Sequence, residues 1–472
     1  TNGNYVVSSP EWNNIGASKA GAVTWGNGEG GTVGEVSKDN SLVGKTANDS
    51  ATNSLVGKTA NDFVGSGRVT ALSNGNYVVV SPDWNTDTAS KAGAVTWGNG
   101  ASGVTGEVSA TNSLVGKTAN DYVGSGGVIA LTNGNYVVLS YKWNNIGAAN
   151  AGAVTWGNGE GGTVGEVSAT NSLVGTTAYD RVGATVENPH SSRYKSSVIA
   201  LSNGNYVVAS PDWNTDTASK AGAVTWGNGA SGVTGVVSDT NSLVGSTAND
   251  WVGSEGVTEL TNGNYVVVSE RWANGGASKA GAVTWGSGTV GVTGVVSDTN
   301  SLVGSTANDW VGSEGVTELT NGNYVVVSER WANGGASKAG AVTWGSGTVG
   351  VTGVVSDTNS LVGSQVDDLV GSQGVTALTN GNYVVASANW ANGTMGDAGA
   401  VTWGDGTKGV TGLVSATNSL VGPAGSSRLA LSGGVYEGSG TFIAATSPLY
   451  GRGESGHVLV GLTDPSQLTF SR

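Results

Sequence analysis

Asn76-Tyr-Val-Val-Val-Ser-Pro-Asp-Trp84, followed by Ala92-Gly-Ala-Val-Thr-Trp-Gly98, decides how the chain is read, because the pair returns throughout it. Its tyrosine falls at Tyr5, Tyr77, Tyr136, Tyr206, Tyr265, Tyr324 and Tyr383, with steps of 72, 59, 70, 59, 59 and 59. The second tryptophan (Trp25, Trp97, Trp156, Trp226, Trp285, Trp344, Trp403) takes the same steps. One further step of 59 lands on Phe442, in Thr441-Phe-Ile-Ala-Ala-Thr-Ser-Pro448, and on Leu462, in His457-Val-Leu-Val-Gly-Leu462. That stretch reads as a degenerate eighth copy, with Phe442 in the tyrosine's place and Leu462 in the tryptophan's. A fixed period in this range marks a repeat architecture.

Within one unit, 117–175, four short strands are expected. Gly127-Val-Ile-Ala-Leu131 is the first, and Thr132-Asn-Gly-Asn135 makes a turn. Asn-Gly between apolar runs is a strong hairpin signal, because both central positions favour positive φ. Tyr136-Val-Val-Leu139 is the second strand, rich in aromatic and β-branched residues. A polar loop over 142–151 leads to the third, Gly152-Ala-Val-Thr-Trp156, and the region 164–174 holds a less regular fourth. No segment offers an apolar 3.6-residue period long enough for a helix. The fold class is all-β.

Four antiparallel strands per unit, repeated in chain order, is the pattern of a β-propeller. A parallel β-helix closes each turn with a far shorter stretch of chain than this period supplies, and needs no hairpin in every unit. The chain is therefore expected to form one propeller over 1–472, with eight four-stranded blades. Their bounds are about 1–57, 58–116, 117–175, 176–245, 246–304, 305–363, 364–422 and 423–472. Seven blades is the alternative, since seven copies carry both tryptophans. Unit one begins at the turn before a second strand, so one of the end blades is expected to be the least complete. Tyrosine and valines of the second strand, with tryptophan of the third, are expected to fill the space between blades.

Composition narrows the function. The 472 residues include 81 glycines without a three-residue period, which excludes collagen. Regular hydrophobic blocks argue against disorder, and no apolar run is long enough to span a membrane. Without cysteine there is no disulfide framework, thiolate metal site or thiol nucleophile. A net charge of −14, spread thinly, repels phosphate backbones, so a nucleic-acid partner is not expected. Residue 1 falls inside a repeat without a signal-peptide pattern, so the chain reads as a piece of something longer.

The order Asn120-Asp-Tyr-Val-Gly124, a short strand, Asn-Gly-Asn, Tyr-Val-Val-x-Ser-Pro and then Gly-Ala-Val-Thr-Trp resembles the FG-GAP repeat of integrin-type propellers. More narrowly, Asn-Gly-Asn-Tyr-Val-Val, Ala-Gly-Ala-Val-Thr-Trp-Gly and Asn-Ser-Leu-Val-Gly resemble repeats of filamentous-haemagglutinin-like bacterial exoproteins. The resemblance implies a secreted or surface-held protein whose propeller is adhesive or of unsettled role. It also exposes a departure. Many FG-GAP units bind calcium in an Asp-x-Asp-x-Asp-Gly loop between the first two strands, whereas this chain has Thr261-Asn-Gly-Asn264 and its equivalents. Calcium takes six to eight oxygens, several of them charged, so no metal or other cofactor is expected.

Irregularities are few. Residues 41–49 and 54–62 both read Ser-Leu-Val-Gly-Lys-Thr-Ala-Asn-Asp, a tandem duplication. An insertion of eleven residues lies within 185–197 and holds His190, Arg193, Tyr194 and Lys195; it reads as a tolerated loop insertion or a protruding contact loop. The blocks 238–296 and 297–355 are identical. Catalysis breaks repeat symmetry by gathering unlike titratable groups, and here the two histidines, His190 and His457, are far apart in the chain. An enzyme is not expected. Asp121, Asp250 and Asp309 recur at one position and read as turn caps, with a cation site as the alternative.

Three functions remain. The first is an adhesion module that meets a protein or glycan on a host or neighbouring cell. The second is a lectin in which Trp12, Trp84, Trp143, Trp213, Trp272, Trp331 and Trp390, one per loop after the second strand, stack on sugar rings. Tryptophan offers a flat apolar face and an N–H donor, which suits a sugar, but it equally suits a lid packed over its own blade. The third is a purely architectural scaffold.

Overall fold

The computed structural model describes residues 3–14, 16–44, 61–184, 186–187, 194–195, 197–423, 425–426, 428–431, 441–445 and 458–462. Among them every regular element is a strand. The unit over 117–175 shows how. Strands run over Gly127–Ala130, Tyr136–Ser140 and Ala153–Gly157, close to the expected bounds. They pair antiparallel in chain order, with Tyr136 opposite both Ala130 and Gly157.

The expected fourth strand is two short pieces. Ser172–Val174 completes the unit's own sheet by pairing antiparallel with Ala153–Thr155. Gly165–Glu166 instead leaves its unit and pairs in parallel with Ser113–Val115 of the preceding one. Between the two pieces sits Asn171. Its side-chain oxygen accepts from Ser168 N at 3.0 Å and its amide donates to Glu166 O at 2.9 Å, which closes a tight turn. This unit thus lends a strand backwards and receives one: Leu173 and Val174 lie beside Gly235 and Val236 of the following unit.

The Asn-Gly-Asn turns also differ from expectation. Only the glycine takes a positive φ, 87° at Gly134, while the asparagine before it does not. Gly134 N donates to Leu131 O at 3.2 Å, and Leu131 N to Asn135 O at 2.8 Å. This is a hairpin of the type I turn and glycine-bulge kind. It leaves Asn133 to accept from Asn135 N and to point its amide at the next unit.

All five residues Tyr136–Ser140 are buried, because both faces of the sheet are covered. Side chains alternate along a strand. Tyr136 and Val138 pack with Val78, Val80 and Val95 of the preceding unit, and Val137 and Leu139 with Tyr206 and Val208 of the following one. The tyrosine ring lies flat over the glycine opposite. A Cβ on Gly157 would sit 2.1 Å from Tyr136 Cζ, so no other residue fits there. Each fully buried apolar side chain contributes roughly 1.5–3 kcal/mol, so the faces supply most of the holding energy.

Hydrogen bonds set the alignment. Gly229 O accepts from Asn133 Nδ2, Asn135 Nδ2 and Trp156 Nε1, at 2.8, 2.8 and 2.9 Å. The same triad, Asn74, Asn76 and Trp97, converges on Gly159 O one unit earlier. The tyrosine, valines and third-strand tryptophans therefore join successive units.

The chain divides into two compact bodies. The first comprises Thr1–Val244 with Gly288–Gly294, and the second Gly245–Ser287 with Val295–Arg472. The short segment Gly288–Gly294 joins the first body as a lent turn. Its Gly288 O takes the triad of Asn203, Asn205 and Trp226. Within the second body the same stacking recurs between Val266 and Tyr324, and between Val325 and Tyr383.

The end copies differ. Unit one has no first strand among the described residues; its sheet is Tyr5–Ser9, Ala22–Gly26 and Ser41–Val43, with Gly106–Glu107 lent from unit two. Tyr5 and Val7 are 47% and 48% exposed, whereas their equivalents Tyr77 and Val79 are buried. The tandem duplication is divided between two roles. Ser41–Val43 of the first copy forms the strand, while Asn61 and Asp62 of the second form the turn that follows; 45–60 lie outside the described residues. The insertion forms a two-stranded ribbon, Val186–Glu187 with Tyr194–Lys195, and His190 and Arg193 lie outside the described residues.

In the eighth copy, Thr441–Ala445 pairs with Val458–Leu462, Thr441 facing Leu462. Tyr383 faces Gly404 in the seventh. Both partners thus fall one position short of the period. Thr441 holds the tyrosine's position and Leu462 that of the facing glycine, not the tryptophan's, while Phe442 faces Gly461. The hairpin keeps the same spacing between its strands, Ser387 to Ala400 in the seventh copy and Ala445 to Val458 in the eighth. That spacing sets the pairing, so one residue lost upstream shifts every position. The first strand of this copy, Ala430–Leu431, lies against Tyr383–Ser387 and Ala400–Gly404, with Leu429 in their core.

Candidate functional site

The loop after the second strand is fixed at its tryptophan. Trp84 N donates to Ser81 O at 3.2 Å, and Gly93 N returns to Trp84 O at 2.9 Å, so one residue ties the end of the second strand to the start of the third. Its indole is buried. Trp84, Trp143, Trp213, Trp272, Trp331 and Trp390 are 4–7% exposed, each in the core between successive units where that core is described, and Trp12 is half-buried. Six of the seven residues read as sugar platforms have no face to offer. They stay in separate units and converge on no shared site.

The recurring aspartate is a clamp. Asp121 accepts from Lys117 N and Thr118 N at 2.8 and 2.7 Å, and from Asn144 Nδ2 at 2.8 Å across the loop tryptophan's turn. Asp250 does the same with Ser246 N, Thr247 N and Ala273 N. Burial pushes the carboxyls of Asp180, Asp250 and Asp309 above the usual range, and these hydrogen bonds work the other way. The clamp's oxygens are thus engaged by amide donors. Among the described residues no group of three or more histidine, cysteine, aspartate or glutamate side chains converges to hold a metal.

What the sequence reading passed over is the next residue. Phe63, Tyr122, Arg181, Trp251, Trp310 and Leu369 follow the clamp aspartate with φ of 45–52°, a left-handed conformation costing roughly 1–2 kcal/mol for a residue with a Cβ. Its backbone is held there: Tyr122 N donates to Lys91 O at 3.0 Å and Trp310 N to Lys279 O at 3.1 Å. The described rings are half-buried, and cations lie over them. Lys91 and Lys142 are 5.5 and 4.8 Å from the Tyr122 centroid. Arg271 is 5.7 Å from Trp251, and Lys279 and Arg330 are 5.0 and 5.9 Å from Trp310. The signal was present in the sequence: Lys91 precedes Tyr122 at the same spacing as Lys279 precedes Trp310.

Beside the tryptophans lie carboxyl pairs. Glu270 is 3% exposed, with Arg271 Nε 3.8 Å from its Oε1. Burial, then the nearby Glu255, pushes the Glu270 carboxyl up to about 7 against the pull of Arg271 and Arg330. Glu329, one unit on, is raised by burial and by Glu314. The site is therefore one loop end of the units over 246–363, where aromatic, cationic and acidic groups meet.

A family model described as a repeat of unknown function (DUF5650) matches residues 1–51, 50–66, 71–125, 130–184, 200–254, 259–313, 318–372 and 377–430. The chain is also similar to outer membrane protein A of Rickettsia rickettsii, 26% identical over 465 residues. The alignment covers 84% of this chain and 20% of that protein, so the chain spans about one fifth of its relative's length.

Proposed function

Since the chain belongs to the family described as a repeat of unknown function (DUF5650), whose model matches most of its length, we propose that it is a non-enzymatic adhesion module carried on a bacterial surface within a larger protein. The name of the aligned relative, an outer membrane protein, supports the location. In this reading the units are blades of one β-propeller of FG-GAP type, eight in number with seven as the alternative. Four strands per unit pairing in chain order, extended in five units to five-stranded sheets by a lent strand, support that arrangement, as does the packing of sheet face on sheet face within each body.

One observation carries the adhesive reading. The side chains common to the units that are described above are engaged either within their own unit, as at the clamp aspartate, or in joining one unit to the next. The residue after the clamp aspartate instead changes along the chain, as Phe63, Tyr122, Arg181, Trp251, Trp310 and Leu369, and keeps part of its surface open where described. A partner on a host or neighbouring cell would meet this varied row. Labelled chain should bind such cells saturably in flow cytometry, and Trp251→Ala with Trp310→Ala should weaken binding about tenfold, as loss of partner-contacting aromatics does. Absence of saturable binding to any cell type would favour the architectural scaffold. A glycan partner would have to use the same row, because the loop tryptophans are buried. Saturable quenching of tryptophan fluorescence by a glycan, persisting in that double variant, would count against the assignment.

A further inference from the structure

Two successive units stand apart where the start of the first strand meets the end of the second. The two positions adjoin in other units: a Cβ on Gly67 would lie 2.8 Å from Pro82 Cδ, and one on Gly126 3.3 Å from Tyr141 Cδ1. In the units over 246–304 and 305–363 both positions carry glutamate, Glu255 with Glu270 and Glu314 with Glu329. The next unit has Gln373 and Ala388 there, so the double acid belongs to these two. Backbone geometry holds the acids together, since Glu255 N donates to Val268 O and Glu314 N to Val327 O, each at 3.3 Å.

Glu270 is almost fully buried beside Glu255, whose charge works against its ionisation. Two neighbouring carboxylates repel, and a proton held between them relieves that repulsion. The charges facing Glu270 are Glu255, Arg271 and Arg330, and those facing Glu329 are Glu314 and Arg330. The arginines offset part of the repulsion, yet they also lie over Trp251 and Trp310. The same two arginines thus face both the pair and the surface row.

We propose that Glu255–Glu270 and Glu314–Glu329 are proton-sharing latches that hold the start of the first strand against the end of the second when protonated, and that release residues 251–256 and 310–315 as the pH rises through neutrality. The direction follows from linkage. The folded-state value of Glu270, about 7, lies above its ordinary 4.5, so the folded chain binds more protons in that window. The contribution of the latch is complete below the lower value and lost as pH rises through the upper one. Glu314–Glu329 is the more open of the two, although the surrounding sequence is identical.

Hydrogen exchange followed by mass spectrometry tests this on the whole chain. After correction for intrinsic rates, protection of these segments should fall about tenfold between about pH 5.5 and about pH 8. Glu270→Gln with Glu329→Gln should abolish that fall, because an amide donates to the remaining carboxylate without titrating. Should this variant fold poorly, Glu255→Gln with Glu314→Gln, at the more exposed partners, makes the same test. An equal loss in wild type and variant, or none in wild type, overturns the latch. So does recovery of protection by calcium at the higher pH, which would make the pair a cation site.

Discussion

Asp250 gathers three backbone donors from two loops, and replacing it by alanine removes the acceptor from all three. Urea titration should show a loss of about 2–4 kcal/mol for Asp250→Ala, with a smaller loss for Asp250→Asn, which keeps one acceptor. The tryptophans make a second comparison. Trp272→Ala empties a packed site and should cost about 3–5 kcal/mol. Trp12→Ala, at the half-buried position of unit one, should cost clearly less by the same titration. The sequence showed both residues to be repeated but not how deep they lie. A loop tryptophan reads the same whether it faces solvent or the neighbouring unit, because depth is set by residues a full period or more away.

At the scale of the element, the triad on Gly229 O fixes how one unit meets the next. Asn135→Ala removes a donor to that carbonyl and the acceptor for Gly159 N. It should cost about 1–2 kcal/mol. Combined with Trp156→Phe, the loss should fall short of the sum, because the two side chains share one acceptor. A double-mutant cycle by thermal unfolding would measure the difference. The hairpins were legible because Asn-Gly and the period-2 valines act within a few residues. The lent strand was not legible, since two residues such as Gly165 and Glu166 carry no period and their partner belongs to another unit. Phe442 was misplaced for a related reason: matching aromatic residues along a period ignores the loop length that sets strand pairing.

Across the described residues the all-β class and the recurrence of units followed from spacing, because a sheet that buries both faces forces the same residues to recur. Stability in such an array comes from units and their junctions. With the clamp carboxylates engaged by amides, a chelator should leave the thermal midpoint unchanged, and a clear fall would reveal a bound ion. The two repeated tryptophan series have a further use. Trp84, Trp272, Trp331 and Trp390 bury indole N–H groups without a protein acceptor, whereas Trp97, Trp156, Trp226, Trp285 and Trp344 donate theirs to a glycine carbonyl. The chain therefore carries its own pair of spectroscopic labels. Indole proton resonances should fall into two groups, the carbonyl-bound set lying downfield. Loosening of a junction between units would shift the bonded group first, and collapse of a core would broaden the other.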